Sequence, residues 1–237
     1  MDKKVAVITG GSNGYGMGLA EILAETGDYE IVIMARNQER TQKVANLLRC
    51  NAFVGDITIQ NDWSELRKYV MDCFGRIDIL VNNAGSGIVI APLVEQTLEE
   101  IHNSLKLNLL GCILGCHTFA QDMMKAQSGL IINVTSVCAT KAWPGFSVYS
   151  ACKSGMRMFT KCLQTELQPY NVRCTTVIPG SGHTDFGVNA GLPADQKTIG
   201  LYKEDMGKAL YSIIEMPSRL LVEEYVLWGI DQRVIPM

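Results

Sequence analysis

Tyr149 and Lys153 stand four residues apart in a stretch of helical periodicity, and Ser136 precedes the tyrosine by thirteen. Residues at i and i+4 share one face of a helix, so this spacing brings a lysine ammonium to a phenol. A nearby cation favours phenolate and draws the tyrosine pKa from its usual value of about 10 toward neutrality, as a general acid or base requires. The Ser136 hydroxyl can hydrogen-bond the same substrate oxygen. A Tyr-x-x-x-Lys pair alone is common on amphipathic helices; its weight here comes from Ser136 and from two turns further upstream.

The first of these turns is Thr9-Gly10-Gly11-Ser12-Asn13-Gly14-Tyr15-Gly16, which follows an apolar run and opens a helix. Glycines there permit a tight turn and let the backbone approach a pyrophosphate, whose charge sits at the exposed N–H groups of the helix N-terminus. Ala35-Arg36 ends the second apolar run, where an acidic residue would bind the ribose 2′-hydroxyl of NAD and an arginine the 2′-phosphate of NADP. With no carboxylate at 35 and a guanidinium at 36, NADP(H) is the preferred cofactor and NAD(H) the alternative. Asn82-Asn83-Ala84-Gly85 closes the fourth run, and this polar pair followed by small residues can take a flat adenosine against the backbone.

These residues need a scaffold that brings several strand ends together. Short β-branched runs at 5–8, 31–34, 52–54, 77–81, 130–134, 172–178 and 225–228 alternate with helical periodicity at about 15–26, 38–49, 61–74, 97–126, 148–168 and 204–215. The alternation predicts an α/β fold, doubly wound, with about seven parallel strands and helices on both faces. At 237 residues and 26.1 kDa the chain suits one such domain, 1–237, without a separate substrate domain. The chain is 47% hydrophobic with 22 Gly against 7 Pro, which argues against disorder, and its net charge of −3 offers no broad basic surface for nucleic acid. Its apolar runs are too short to span a membrane, and its N-terminus lacks the pattern of a secretory signal, so a cytoplasmic location is expected. Eight scattered cysteines without a CxxC pair, and three histidines, predict buried thiols in a reducing compartment and no metal site.

The stretch 184–203, with Gly187, Gly191, Pro193 and Gly200, breaks the rhythm and reads as a lid. Cys138, Trp143, Phe146 and Ser181, with Ser136 and Tyr149, are expected to border the substrate, and this mainly apolar wall suits a neutral carbonyl or alcohol. Leu105, Leu107, Leu109, Leu110, Ile113 and Leu114 give 97–126 more apolar surface than one sheet face can cover, which predicts a partner subunit.

On the motifs at 9–16 and 82–85 and the Ser136, Tyr149, Lys153 set, the chain resembles the compact short-chain dehydrogenases/reductases, from Val5 to about Thr184. The resemblance implies a Rossmann-type fold and adds residues to both sites. Asn108 resembles the helix Asn of the family's catalytic tetrad, Asp56 with Ile57 the adenine pocket, and Pro179, Gly180, Gly182 and Thr184 the nicotinamide-side segment. Gly10, Ser12, Asn13, Gly14, Tyr15, Gly16, Arg36, Asn83, Ala84 and Gly85, with Tyr149 and Lys153, complete the expected cofactor contacts. It implies hydride transfer at a nicotinamide with Tyr149 as proton donor or acceptor, Ser136 positioning the oxygen, Lys153 holding the ribose and Asn108 anchoring a water. It also implies a homodimer or homotetramer. Two departures stand out: Asn13 lies where many NADP-dependent members carry a basic residue, and Gly182 replaces a branched residue, which predicts a more flexible loop. His183, beside it, reads as an extra acid/base or as a solvated surface residue. The alternative function is a non-catalytic dinucleotide-binding sensor, which has no need for a tuned phenol.

Overall fold

The computed structural model describes residues 3–191 and 199–232. Seven strands form one all-parallel sheet in the order β3-β2-β1-β4-β5-β6-β7. They are β1 (Lys4–Thr9), β2 (Tyr29–Ala35), β3 (Asn51–Val54), β4 (Ile79–Asn82), β5 (Gly129–Val134), β6 (Val172–Pro179) and β7 (Glu224–Leu227). Each expected strand is present, with ends moved by one or two residues. β1, β4 and β5 are almost wholly buried because helices cover both faces, which is why they read as unbroken apolar runs.

Two cores result. On one face, α1 (Gly14–Thr26) and α8 (Lys203–Ile214) press Leu19, Leu23, Met206 and Leu210 onto Ile8, Ile33 and Val81. On the other, α3 (Gln60–Phe74), α5 (Gly111–Ala126) and α6 (Ser147–Leu167) press Trp63, Phe119, Met123 and Met156 onto Val7, Val32, Leu80 and Ile131. The alternation of strand residues between the two lists is the period of two expected of a sheet buried on both sides. α2 (Gln38–Leu48) packs beside α1 and opens at Asn37, whose side chain accepts from the Arg40 backbone N–H. At the far edge, Arg157 of α6 grips Glu224 of β7 through two hydrogen bonds of 2.7 and 2.9 Å.

The helix expected over 97–126 is interrupted. Thr97 and Glu100 form a reciprocal capping box for α4 (Leu98–Leu105), a π turn follows over Lys106–Leu110, and α5 continues from Gly111. The extra residue in that turn rotates the chain so that Asn108 is buried, 1% exposed, beneath the carboxyl edge of the sheet. Polar Asn flanked by leucines gave no sign of this break, since the apolar period on either side continues.

The segment after β6 is also more ordered than a bare loop. Gly182 and Leu201 pair as a parallel bridge, with Leu201 N–H donating to Ser181 O and His183 N–H to Leu201 O. Between them lies the short helix α7 (Phe186–Asn189). Of the expected lid, positions 192–198 lie outside the described residues.

Candidate active site

β1 and β4 pair in the middle of the sheet, and beyond them the strand order runs outward in opposite directions; ligands of open α/β sheets bind in the crevice at the carboxyl ends of such a pair. Thr9 ties the two ends together: its hydroxyl accepts from the backbone N–H groups of Asn83 and Ala84, both at 3.0 Å. The Asn83 amide donates back to Thr9 O at 3.0 Å. Gly10 and Gly16 are glycines for a concrete reason. A Cβ on either would meet the Asn83 amide nitrogen, at 2.9 and 2.6 Å, and Gly10 also has φ +66°. Asn82 turns the other way, into the core, donating to Asn133 at 2.9 Å. Both asparagine side chains thus join strands, so any contact of this turn with an adenosine would fall to its backbone.

The start of α1 suits a pyrophosphate. No acidic residue stands in its first turn, and the Asn13 side chain does not cap the helix, so the first N–H groups have no side-chain acceptor. Gly14, at φ +50°, leaves room there, since a Cβ would meet only the Thr184 side chain, at 3.4 Å. Ser12 is buried beneath the turn. Across the crevice Arg36 lies 3.8 Å from Asp56, whose other carboxylate oxygen accepts from Thr58 N–H. Ile57 faces away: its side chain is in the core, where a Cβ on Gly111 would lie 2.6 Å from it. Arg40, one turn into α2, is a second cation on this side that the sequence reading missed. Its signal was the spacing from Arg36, which places both at the opening of one helix.

Tyr149 and Lys153 do share a face of α6, with the lysine Nζ 5.7 Å from the centre of the tyrosine ring. Lys153 is 3% exposed and donates to Val134 O at 3.2 Å. Above it Gly85 leaves a gap: a Cβ there would sit 3.2 Å from Lys153 Nζ and 3.1 Å from Asn108 Oδ1. The Asn108 amide is clamped at both ends by the Ser86 backbone, accepting from its N–H at 3.1 Å and donating to its carbonyl at 2.9 Å. Ser136 begins the short turn after β5, its hydroxyl accepting from Cys138 N–H at 3.2 Å. All four expected catalytic residues therefore meet around one crevice.

The electrostatics depart from expectation. Burial, with the Cys138 thiol beside it, pushes the Tyr149 phenol up rather than down, and only the Ser136 hydroxyl draws it the other way. The same burial pushes the Lys153 ammonium down to about 8. Desolvation disfavours the charged form of both groups, and in the protein alone it outweighs the attraction of the lysine for a phenolate. The thiols of Cys138 and Cys152 are pushed up by burial as well.

The substrate side is aromatic. Trp143 packs on Phe146 at 6.4 Å and Phe146 on Tyr149 at 6.3 Å between ring centres. Phe186 of α7, in the segment expected as a lid, meets the Tyr149 ring edge-on at 5.1 Å. So short a helix gives no periodic signal that would single the residue out. The same helix docks through Asn189, which donates to Ser86 Oγ at 3.0 Å, and through Ala190, which fills the space a Cβ on Gly87 would need. Gly180 N–H donates to Leu227 O at 2.7 Å, fixing the loop after Pro179, and Ser181 is exposed. His183 stacks on Tyr202, 4.0 Å between ring centres and 5° from parallel, on the Gly-rich side of the crevice.

The Gly182 departure has a steric basis. A Cβ there would lie 1.8 Å from the Tyr15 hydroxyl and 2.6 Å from Leu201 O. Tyr15 and Gly182 are thus a matched pair, with the glycine vacating the space that the phenol takes.

The short chain dehydrogenase family model matches residues 4–194, and the chain belongs to that family. It is an NAD(P)-dependent oxidoreductase acting on a small molecule. It is 32% identical over 228 residues to 3-oxoacyl-[acyl-carrier-protein] reductase of Bos taurus, covering 90% of this chain and 92% of that protein. Among solved structures, alcohol dehydrogenase of Thermococcus sibiricus, complexed with 5-hydroxy-NADP, superposes with a TM-score of 0.89 at 31% identity, covering 99% and 100% of the two chains. A short-chain dehydrogenase of Sphingobium yanoikuyae in complex with NADPH superposes at 0.83 with 26% identity, covering 93% and 87%. Among the described residues no helix is long and apolar enough to cross a membrane, and no cluster of three His, Cys, Asp or Glu side chains is placed to hold a metal ion.

Proposed function

We propose that the chain interconverts a carbonyl and a primary or secondary alcohol on a small, largely neutral or apolar substrate, preferring NADP(H), with Tyr149 as general acid/base. The observation that carries this reading is the buried Lys153 ammonium. Apart from Val134 O its neighbour is the weak acceptor Met156 Sδ at 4.0 Å, so it has donors to spare beside the Tyr149 ring and the Gly85 gap. A buried cation so weakly compensated is costly, and such costs gather at functional sites.

The dinucleotide, when bound, supplies or accepts the hydride at its nicotinamide ring. Tyr149 donates its proton to the substrate oxygen in the reducing direction and recovers it in the other; a phenol pushed up by burial is fully protonated at neutral pH and suits donation. Ser136 Oγ holds that oxygen toward the phenol, and together the two hydroxyls stabilise the developing alkoxide. Lys153 would donate to the nicotinamide ribose, and Asn108 would anchor a water that links Lys153 to solvent. The α1 N-terminus holds the pyrophosphate, and Arg36 the 2′-phosphate. Trp143, Phe146 and Phe186 form an apolar wall that suits an uncharged substrate. The names of the relatives, a 3-oxoacyl reductase and an alcohol dehydrogenase, fit such a conversion. Exposed Leu98, Leu105, Leu110 and Met158 on α4, the π turn and α6 support a homodimer or homotetramer, and eight free thiols support a reducing, cytoplasmic setting.

Absorbance of NADPH, followed against a panel of aldehydes and ketones, tests the proposal. Wild type should turn over, and Tyr149→Phe should lose at least about 100-fold in kcat while binding NADPH within about twofold of wild type. Tight NADPH binding without turnover of any compound by the wild type would sink the enzymatic reading and leave the sensor.

A further inference from the structure

We propose that Asp185 is a specificity-determining residue, a carboxylate that competes with the 2′-phosphate of NADP(H) but not with NAD(H), and so narrows without reversing the preference for NADP(H) that Arg36 gives. The inference rests on the cofactor site proposed above. Asp185 follows Thr184 and reaches back over the Gly-rich turn. Its Oδ2 accepts from the Asn13 amide at 2.6 Å and lies 3.6 Å from the Arg40 guanidinium. Asn13 begins α1 at the end of β1, and Arg40 lies in the first turn of α2 at the end of β2. The ribose of a dinucleotide bound at this edge lies between those two strand ends. The Asp185 carboxylate thus occupies Asn13 and Arg40, the polar groups at these two strand ends that an anion on that ribose would need.

The other charges nearby are already matched. Arg36 faces Asp56 at 3.8 Å. Lys203 shares with Asn13 and Asp185 a cavity of about 270 Å³ and is held by both Glu21 oxygens, at 2.6 and 2.7 Å. Adding a phosphate beside Asp185 therefore means displacing the carboxylate from Asn13 and Arg40 or enduring like-charge repulsion. The side chains are 58% and 49% exposed for Asp185 and Arg40, so the exchange is open and its effect is that of an exposed ion pair, not a buried one. A bare 2′-hydroxyl meets no such conflict, since a carboxylate can accept a hydrogen bond from it. Asp185 thereby does from the segment after β6 what an acidic residue at the end of β2 does in NAD-binding sites, a position filled here by Ala35-Arg36.

Equilibrium binding of NADPH and NADH at low ionic strength tests this. Asp185→Asn should tighten NADPH about two- to fivefold and leave NADH unchanged or weaker. Adenosine 2′,5′-bisphosphate should gain as NADPH does while 5′-AMP does not, which separates the charge effect from any loosening of α7. Arg40→Gln should weaken NADPH more in the Asp185→Asn background than in wild type, because only there is the guanidinium unpaired. An equal response of the two dinucleotides, or additive effects of the two substitutions, overturns the inference alone. Wild-type protein that binds neither dinucleotide overturns the cofactor site and the inference with it.

Discussion

Replacing Lys153 with methionine should make the protein more stable and inactive. The lysine is 3% exposed, and burial moves its pKa from the usual 10.5 to about 8. At about 1.4 kcal/mol per pH unit, that fall corresponds to about 3 kcal/mol spent on keeping the ammonium charged in the folded interior at neutral pH. Losing the hydrogen bond to Val134 O returns about 1.5 kcal/mol of this. Methionine keeps an unbranched stem of similar length, so packing changes little, and the net gain is about 1.5 kcal/mol, or roughly 3–6 °C in Tm for a chain of this size. The sign follows from proton linkage. Between about pH 8 and 10.5 the unfolded chain holds a proton on this lysine that the folded chain has lost, so wild-type stability rises with pH there relative to the variant. Below pH 8 both states are protonated and the penalty is constant. Urea unfolding of both proteins at pH 7 and pH 10, with NADPH turnover alongside, reads each part. A Lys153→Met protein less stable than wild type at pH 7, or a stability difference that does not shrink by pH 10, would refute the reasoning.

Gly182→Val restores the kind of residue usual in the family but places a Cβ 1.8 Å from the Tyr15 hydroxyl. Thermal unfolding should show a loss of about 1–3 kcal/mol, partly recovered by Tyr15→Ile but not wholly, because Leu201 O remains 2.6 Å away; no loss in Gly182→Val would mean that the loop moves freely. Arg36→Ala should raise the NADPH Kd about tenfold and the NADH Kd less than twofold in fluorescence titrations, with equal losses counting against a 2′-phosphate role.

The strand order β3-β2-β1-β4-β5-β6-β7 belongs to the assembled sheet, whereas strand positions, most helix positions and the meeting of Ser136, Tyr149 and Lys153 were legible in the sequence because each rests on local signals. These are unbroken apolar runs for strands buried on both faces, a Gly-rich turn between strand and helix, and i, i+4 spacing on a helix. Asn108 was located by family likeness alone, since the π turn that buries it arises inside a run whose apolar period does not change. An asparagine pair after a strand looks the same in sequence whether its side chains face a ligand or a neighbouring strand; here Asn133 and Thr9 take the side chains of Asn82 and Asn83.

What the sequence by itself determined is therefore the scaffold and the chemical inventory, quantities set by neighbours in the chain. The tertiary structure alone decided how those groups are tuned. Phe186 reaches Tyr149, Asp185 reaches Asn13 and Arg40, and Tyr15 dictates Gly182, through approaches between segments some 37 to 172 residues apart. It also set burial against the pull of Lys153 on the Tyr149 phenol. Burial is a property of everything packed around a group, and no spacing along the chain encodes it.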